Sequence, residues 1–211
     1  MGNRRRRIVI LGGGFAGVYT ARYLHKLLKE TEVEICLVNR DNYMTFQPML
    51  AEVIGDALGV YDTVSALSSL LPKTKLFINE IEKIDLEHKQ VFLVSSFKKQ
   101  HIVLDYDELV LALGNATDFI HLENGVCQHA LKFKNLSDTL ILRNHIIRVL
   151  EAAATEKDPS LKQALCTFVV AGAGFTGSEV VAELTDFVAK MVKKLTGIKK
   201  EEIRIYLVHS K

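Results

Sequence analysis

The chain has only three cysteines in 211 residues, Cys36, Cys127 and Cys166, and no two stand at C-x-x-C or C-x-x-x-x-C spacing. That excludes a redox dithiol and a zinc knuckle, and it counts against a disulfide reductase. Three reduced thiols in a cytoplasmic setting are expected, with Cys36 and Cys166 in or beside apolar strands and so in the core. No apolar run is long enough to cross a bilayer, and no secretory apolar region follows the N-terminal arginines. The seven histidines show no H-x-x-x-H spacing, so no metal site is expected. No G-x-S-x-G nucleophile turn occurs. An excess of one charge is also missing: the formal net charge is +2, which gives no general reason to expect nucleic acid. Only Arg4–Arg7 is locally basic. It reads as a solvated tail, ahead of an anionic-lipid contact and further ahead of a nucleic-acid arm. The Met-Gly start has Arg6 where a myristoylation signal needs Ser or Thr.

What is present is the makeup of a soluble globular protein, 48% hydrophobic and 25% charged, long enough for one large domain or two small ones. A glycine signature occurs twice. Ile8–Leu11 leads into Gly12-Gly13-Gly14-Phe15-Ala16-Gly17, and Phe168–Ala171 leads into Gly172-Ala173-Gly174-Phe175-Thr176-Gly177. Each is an apolar strand, then G-x-G-x-x-G, then a helical pattern. Val18, Ala21, Leu24 and Leu28 recur at three- and four-residue steps, as do Val180, Leu184, Phe187 and Met191. A further apolar strand follows each helix, Val33–Val38 and Ile203–Val208. The pattern predicts two β-α-β units. In such a unit the first glycine permits the tight turn, the second lets backbone approach a pyrophosphate, and the third lets helix and strand pack closely. The helix start then offers N–H groups and a positive dipole end to phosphate. One match alone could be packing; two in full context ask for two dinucleotides.

Between the units, Asn39–Glu52 reads as a loop. Residues 63–71 read as a short helix stopped by Pro72. Leu76–Ile78, Val91–Val94 and Ile102–Leu104 read as a small antiparallel meander. Tyr106–Leu113 reads as a buried strand ended by Gly114, and residues 136–155 as a helix with Asn135 or Ser137 as N-cap. Lys157–Ser160 reads as a turn. A division at about 115–135 would separate residues 1–117 from 118–211. A doubly wound sheet needs more strands than those before Lys211, so the chain is expected to be the N-terminal part of a longer protein. A complete minimal protein would leave an apolar sheet edge open.

These stretches resemble the two-dinucleotide-binding flavoproteins. The closest likeness is to type II NADH:quinone dehydrogenases and related FAD-dependent NADH dehydrogenases. Beyond the glycines, the likeness rests on Asn42-Tyr43 with Phe46-Gln47-Pro48-Met49-Leu50, on Tyr106–Gly114, and on Gly174-Phe175-Thr176-Gly177-Ser178-Glu179. It implies an α/β, Rossmann-like FAD/NAD(P)-binding fold with two β-α-β units and a small antiparallel meander. Residues 1–117 would form the FAD-binding domain and 118–211 an incomplete NAD(P)H-binding domain. Gly12, Gly14 and Gly17, with Phe15 and Ala16 between them, would hold the FAD pyrophosphate. Asn39 and Arg40 would lie near the adenosine, and Gln47 and Pro48 near the flavin ring. Ala112, Gly114 and Thr117 would close the cradle. Gly172, Gly174, Thr176 and Gly177 would hold the pyrophosphate of NADH, and Glu179 would sit near the meeting point of nicotinamide and flavin. Gln47 and Glu179 are the candidate catalytic residues.

The implied activity is hydride transfer from NAD(P)H to flavin and electron transfer onward, by likeness to a quinone. The implied setting is cytoplasmic. Peripheral membrane contact would come through a C-terminal region beyond this chain, and a homodimer stays open. Two departures stand out. An acid is expected at the end of each unit's second strand to bind ribose. Asn39 stands there in the first unit. His209, followed by Ser210 and Lys211, stands there in the second and leaves NADPH open. Glu179 reads as lying in the first turn of its helix, where a carboxylate complements the dipole without any catalytic duty. Gln47-Pro48 could be a rigid turn. The rival readings are a ferredoxin or rubredoxin reductase on the same scaffold, and a truncated, non-catalytic nucleotide-binding fragment.

Overall fold

Ile8–Leu11 is an unbroken apolar run because both faces of its backbone are covered. In the computed structural model, which describes residues 5–30, 32–94, 101–117 and 129–209, all four side chains are buried. Arg4, Cys127, Ser210 and Lys211 lie outside the described residues. Along the chain run β1 (Arg6–Leu11), α1 (Phe15–Leu27), β2 (Val33–Asn39), β3 (Tyr43–Thr45), a 3-10 turn at Gln47–Met49 and α2 (Leu50–Ile54). Next come β4 (Val64–Ala66), α3 (Leu67–Leu70), β5 (Lys75–Ile78), β6 (Glu80–Asp85), β7 (Gln90–Val94), β8 (His101–Asp105) and β9 (Glu108–Leu111). Then follow α4 (Leu136–Thr155), α5 (Pro159–Leu165), β10 (Thr167–Ala171), α6 (Phe175–Val192) and β11 (Arg204–Val208). The chain forms two units, Met1–Thr45 with Val64–Asn115, and Phe46–Thr63 with Ala116–Lys211.

The first unit is built on a parallel sheet ordered β5-β2-β1-β9. Strand periodicity sends alternate residues to opposite faces. Ile8, Ile10, Ile35 and Leu37 pack with Val18 and Ala21 of α1 and with Leu67 and Leu71. Val9, Leu11, Cys36 and Val38 pack on the other face with Val91, Leu93, Leu104 and Tyr106. Helix on one face and the β6-β7-β8 meander on the other explain why β1 and β2 read as continuous apolar runs rather than alternating ones.

In the second unit β10 and β11 form a parallel pair. One face carries Phe168, Val170 and Ile205 against a core of Ile146, Leu150, Val180, Leu184, Phe187 and neighbouring side chains. Helix α4 starts at Asn135, whose side chain accepts from the Asp138 N–H while the Asp138 carboxylate accepts from the Asn135 N–H. This capping box satisfies two N–H groups that the helix itself leaves unbonded.

Several sequence expectations change. Val64–Ala66 is a strand paired with β3, so the helix expected over 63–71 shrinks to Leu67–Leu70. Lys75–Ile78 joins the main sheet beside β2 instead of the meander. The meander's first strand is Glu80–Asp85, whose acidic and basic residues hid it. The strand expected over Tyr106–Leu113 is only Glu108–Leu111 and half-exposed, because it lies at the edge of the sheet. The turn expected at Lys157–Ser160 is a helix start. Asp158 caps the N–H groups of Ser160 and Leu161, and Pro159 takes the first helical position, where its missing N–H costs nothing. Arg6 and Arg7 are strand residues, not a solvated tail: Arg6 pairs with Glu108, and Arg7 pairs with Glu34 at 2.5 Å.

Cys36 and Cys166 are both fully buried, as their apolar flanks predict. Burial, with Glu34 nearby, pushes the Cys36 thiol up to about 11. At pH 8 only about one Cys36 in a thousand would then be thiolate. Alkylation at pH 8 with peptide mass mapping is expected to spare Cys36 in the native protein and to modify it in urea. Rapid native labelling would show that β2 opens.

Candidate functional site

Each glycine turn joins a strand end to a helix start, and the three glycines of a turn sit in three different environments. Gly12 has φ +111, a backbone shape that side chains disfavour, and a Cβ there would also meet the Ala112 carbonyl oxygen at 2.2 Å. A Cβ on Gly17 would lie 1.9 Å from the Gly12 carbonyl oxygen, so helix and strand touch backbone to backbone. Gly14 differs from both. Its φ of −83 and ψ of −165 suit any residue, and a Cβ there would meet nothing within 4 Å. Neither the backbone nor packing among the described residues requires glycine at that point. The space above it is exposed, as are Phe15 and Ala16.

The second turn repeats this arrangement. Gly172 has φ +106, a Cβ on Gly177 would lie 1.8 Å from the Gly172 carbonyl oxygen, and Gly174 is open. The hydrogen bonds match as well. The Gly12 N–H donates to the Val38 carbonyl at 2.8 Å, and the Gly172 N–H donates to Val208 at 2.7 Å. Val18 and Ser178 close the first helical turns onto Gly14 and Gly174, both at 3.0 Å. Neither helix has a side-chain N-cap or an acidic residue in its first turn. The positive dipole end of each therefore faces the open space beside its middle glycine.

The first unit gathers Gly12, Gly14, Phe15, Ala16, Gly17, Asn39, Arg40, Ala112 and Gly114. Asn39 follows Val38 at the strand end. Its Oδ1 accepts from the Gly13 N–H at 2.8 Å, and its Nδ2 donates to the Asp41 carbonyl at 2.8 Å. A Cβ on Gly13 would strike the Asn39 side chain at 2.7 Å. Sequence reasoning missed this link, although the triple glycine was its signal: the second turn has Ala173 where the first has Gly13. Arg40 is exposed, and Gly114 takes φ +72 with open space around it.

The second unit holds Gln47, Pro48, Thr117, Gly172, Gly174, Thr176, Gly177 and Glu179. Gln47 opens the 3-10 turn with Pro48 behind it, and its Nε2 donates to the Lys134 carbonyl at 3.4 Å. Glu179 does not lie in the first helical turn, because α6 already begins at Phe175. It is exposed, and its side chain has no hydrogen bond or ion pair among the described residues. A carboxylate one turn in gains less from the helix dipole, which weakens the purely helical explanation for it. Among the described residues no group of acidic, histidine or cysteine side chains could hold a metal ion.

Comparison with known proteins places this geometry. Residues 6–208 match the family described as pyridine nucleotide-disulphide oxidoreductase. The whole chain aligns with the type II NADH:quinone oxidoreductase of Staphylococcus haemolyticus at 31% identity over 212 residues, 50% of that protein. It aligns with the same-named protein of Staphylococcus aureus at 32% over 214 residues, again 50%. The chain thus spans about half the length of the curated relatives it matches. Among solved structures it is similar to NDH2 from Plasmodium falciparum in complex with NADH, with a TM-score of 0.85 and 26% identity over 97% of this chain and 42% of that one.

The glycine environments separate two kinds of substitution. Gly17→Ala and Gly177→Ala are expected to lose about 2–3 kcal/mol of stability, since backbone must move to admit the methyl. Gly14→Ala and Gly174→Ala are expected to lose less, about 1 kcal/mol or below, the cost of changing an N-cap from glycine to alanine. Urea unfolding of the four variants checks this, and equal losses at all four would show that the middle glycines are structural.

Proposed function

The chain belongs to the pyridine nucleotide-disulphide oxidoreductase family, and from that premise we propose that it carries the two dinucleotide sites of an FAD-dependent NADH dehydrogenase that delivers electrons to a quinone. The observation that carries this reading is the pair of open middle glycines, Gly14 and Gly174. Each has an ordinary backbone shape and open space beside a helix start; glycine also suits an N-cap, and the open space is what a pyrophosphate would need. The similarity to type II NADH:quinone oxidoreductases supports FAD at the first turn, NADH at the second, and quinone as acceptor.

Bound flavin and nicotinamide would together supply a two-electron redox couple, and the protein supplies position and electrostatics. Gly12, Gly14 and Gly17 would admit the FAD pyrophosphate to the α1 N–H groups. Asn39 holds the loop and, with Arg40, borders the adenosine side. Ala112, Gly114 and Thr117 would close the cradle, with Gln47 and Pro48 toward the flavin ring. Gly172, Gly174, Thr176 and Gly177 would hold the NADH pyrophosphate, and Glu179 would face the nicotinamide side. On this reading residues 1–117 serve FAD and 118–211 serve NADH. A homodimer and a peripheral seat on the inner face of the membrane belong to the same proposal. No helix among the described residues is long and apolar enough to cross a membrane. His209 follows β11, where an acid would repel a 2′-phosphate, so NADPH is the second nucleotide to assay.

The test is an absorbance titration of the purified chain with FAD, then with NADH under anaerobic conditions. Protein-bound flavin absorbing at ~450 nm, then bleaching, is the expected result. A protein that stays colourless with FAD overturns the reading for this chain. Gly14→Ala is expected to weaken FAD about tenfold or more while leaving NADH affinity unchanged, and Gly174→Ala to do the reverse, each near 1.4 kcal/mol.

A further inference from the structure

Away from both glycine turns, the second unit holds a basic cavity that the dinucleotide reading does not use. Its volume is about 180 Å³, and Asp56, Arg143, Phe187, Lys190 and Lys194 line it. Phe187 lies more than three turns along α6 from its first residue, about 18 Å at 1.5 Å per residue. The cavity is therefore distinct from the space beside Gly174.

Three cations face one carboxylate here. The Arg143 guanidinium lies over the Phe187 ring, 5.5 Å from its centre, and its Nη2 donates to Asp56 Oδ1 at 3.0 Å. A two-pronged carboxylate contact would also engage Nε, but Nε is buried without an acceptor among the described residues. Lys190 donates to the Gly55 carbonyl at 3.3 Å, which leaves its other donors unused. Lys194, just past the end of α6, has no hydrogen bond or ion pair from its side chain among the described residues. Asp56 holds φ +61, a left-handed shape, as it follows the end of α2 and turns its carboxylate to Arg143. A structural explanation covers part of the group, since lysines near a helix C-terminus complement its dipole. It does not explain a concave site with a net excess of positive charge and an unsatisfied guanidinium N–H.

We propose that this cavity binds a small phosphate-type anion, inorganic phosphate or a phosphomonoester group, with Lys194 and Lys190 as direct donors and Arg143 as the central charge. The size supports a small ligand, since pockets for drug-sized molecules begin at roughly 300 Å³. Asp56 competes with the anion for Arg143 and sets a low resting affinity. Nothing in this assignment depends on the flavoprotein reading.

The test is calorimetric titration of the 211-residue chain with inorganic phosphate, and separately with glycerol phosphate, at an ionic strength fixed with sodium chloride. One saturable site is expected for at least one of the two, and the better binder identifies the free or the esterified anion as the ligand. Lys194→Gln, an exposed change that leaves the fold intact by circular dichroism, is expected to weaken binding about tenfold. Asp56→Asn keeps a residue tolerant of the left-handed shape and is expected to tighten binding about threefold. A purely structural cluster would give the opposite pattern, with Asp56→Asn destabilising the fold and phosphate affinity unmoved. No binding beyond the chloride control overturns the proposal. So does binding that Lys194→Gln leaves unchanged and NADH displaces, since that anion would sit at a glycine turn.

Discussion

The contact on which the rest depends is backbone against backbone, Gly17 lying on the carbonyl of Gly12. With no room for a Cβ, the first turn of α1 is seated on the end of β1, and the direction of the helix follows from that seat. Its N-terminus then opens on the space beside Gly14, where no atom of the described residues lies within reach of a side chain. Glycine gives up more conformational freedom on folding than any other residue. Three of them in six residues make sense when one provides the turn, one the seat and one the room for a ligand. The same division of labour recurs at Gly172, Gly174 and Gly177.

The two copies also show what the turn does not need. In the first unit β1 lies between β2 and β9, and the Ala112 backbone closes on Gly12. In the second unit β10 pairs only with β11 among the described residues, and a Cβ on Gly172 would meet nothing. Val9 is fully buried, whereas its counterpart Val169 is 63% exposed. Yet φ is +111 at Gly12 and +106 at Gly172, and the closing hydrogen bonds differ by 0.1 Å. The turn is thus specified by its own short sequence and one partner strand. Burial of the strand behind it is set by longer-range neighbours.

That distinction explains what was legible in the sequence. The two β-α-β units and the two buried cysteines could be read because local pattern and final environment agree, and the helix start near residue 136 was legible with its cap, Asn135, as one of two candidates. Glu80–Asp85 could not, since a solvent-facing strand in a meander needs little apolar signal. Leu76–Ile78 reads as a strand but with the wrong partner, because an apolar tripeptide does not say which edge it joins. Arg6 and Arg7 looked like a free tail until Glu108 and Glu34, on the two neighbouring strands, supplied opposite charges. Asp158-Pro159 was read as a turn, although the same pair is a strong helix start. At the candidate sites the glycines were legible and the partner of Asn39 was not. The basic cavity joins residues from three separate stretches of the second unit, with no spacing rule to connect them.

Asn39 and Gly13 show how two departures from a motif can have one cause. An acid is expected where Asn39 stands, and a residue with a side chain is tolerated where Gly13 stands, as Ala173 shows in the second copy. Asn39 fills the volume that a Cβ on Gly13 would need, so the extra glycine follows from the orientation of the amide. The amide itself follows from its two partners. Its oxygen accepts from Gly13, a contact a carboxylate could also make, but its nitrogen donates to the Asp41 carbonyl. A carboxylate has no proton to donate there and would set negative charge against that oxygen. The side chain at this corner therefore answers first to the geometry of the glycine loop, and any ribose contact comes second. The missing acid is thus a local structural choice of the first unit, compatible with a dinucleotide lying across Gly14.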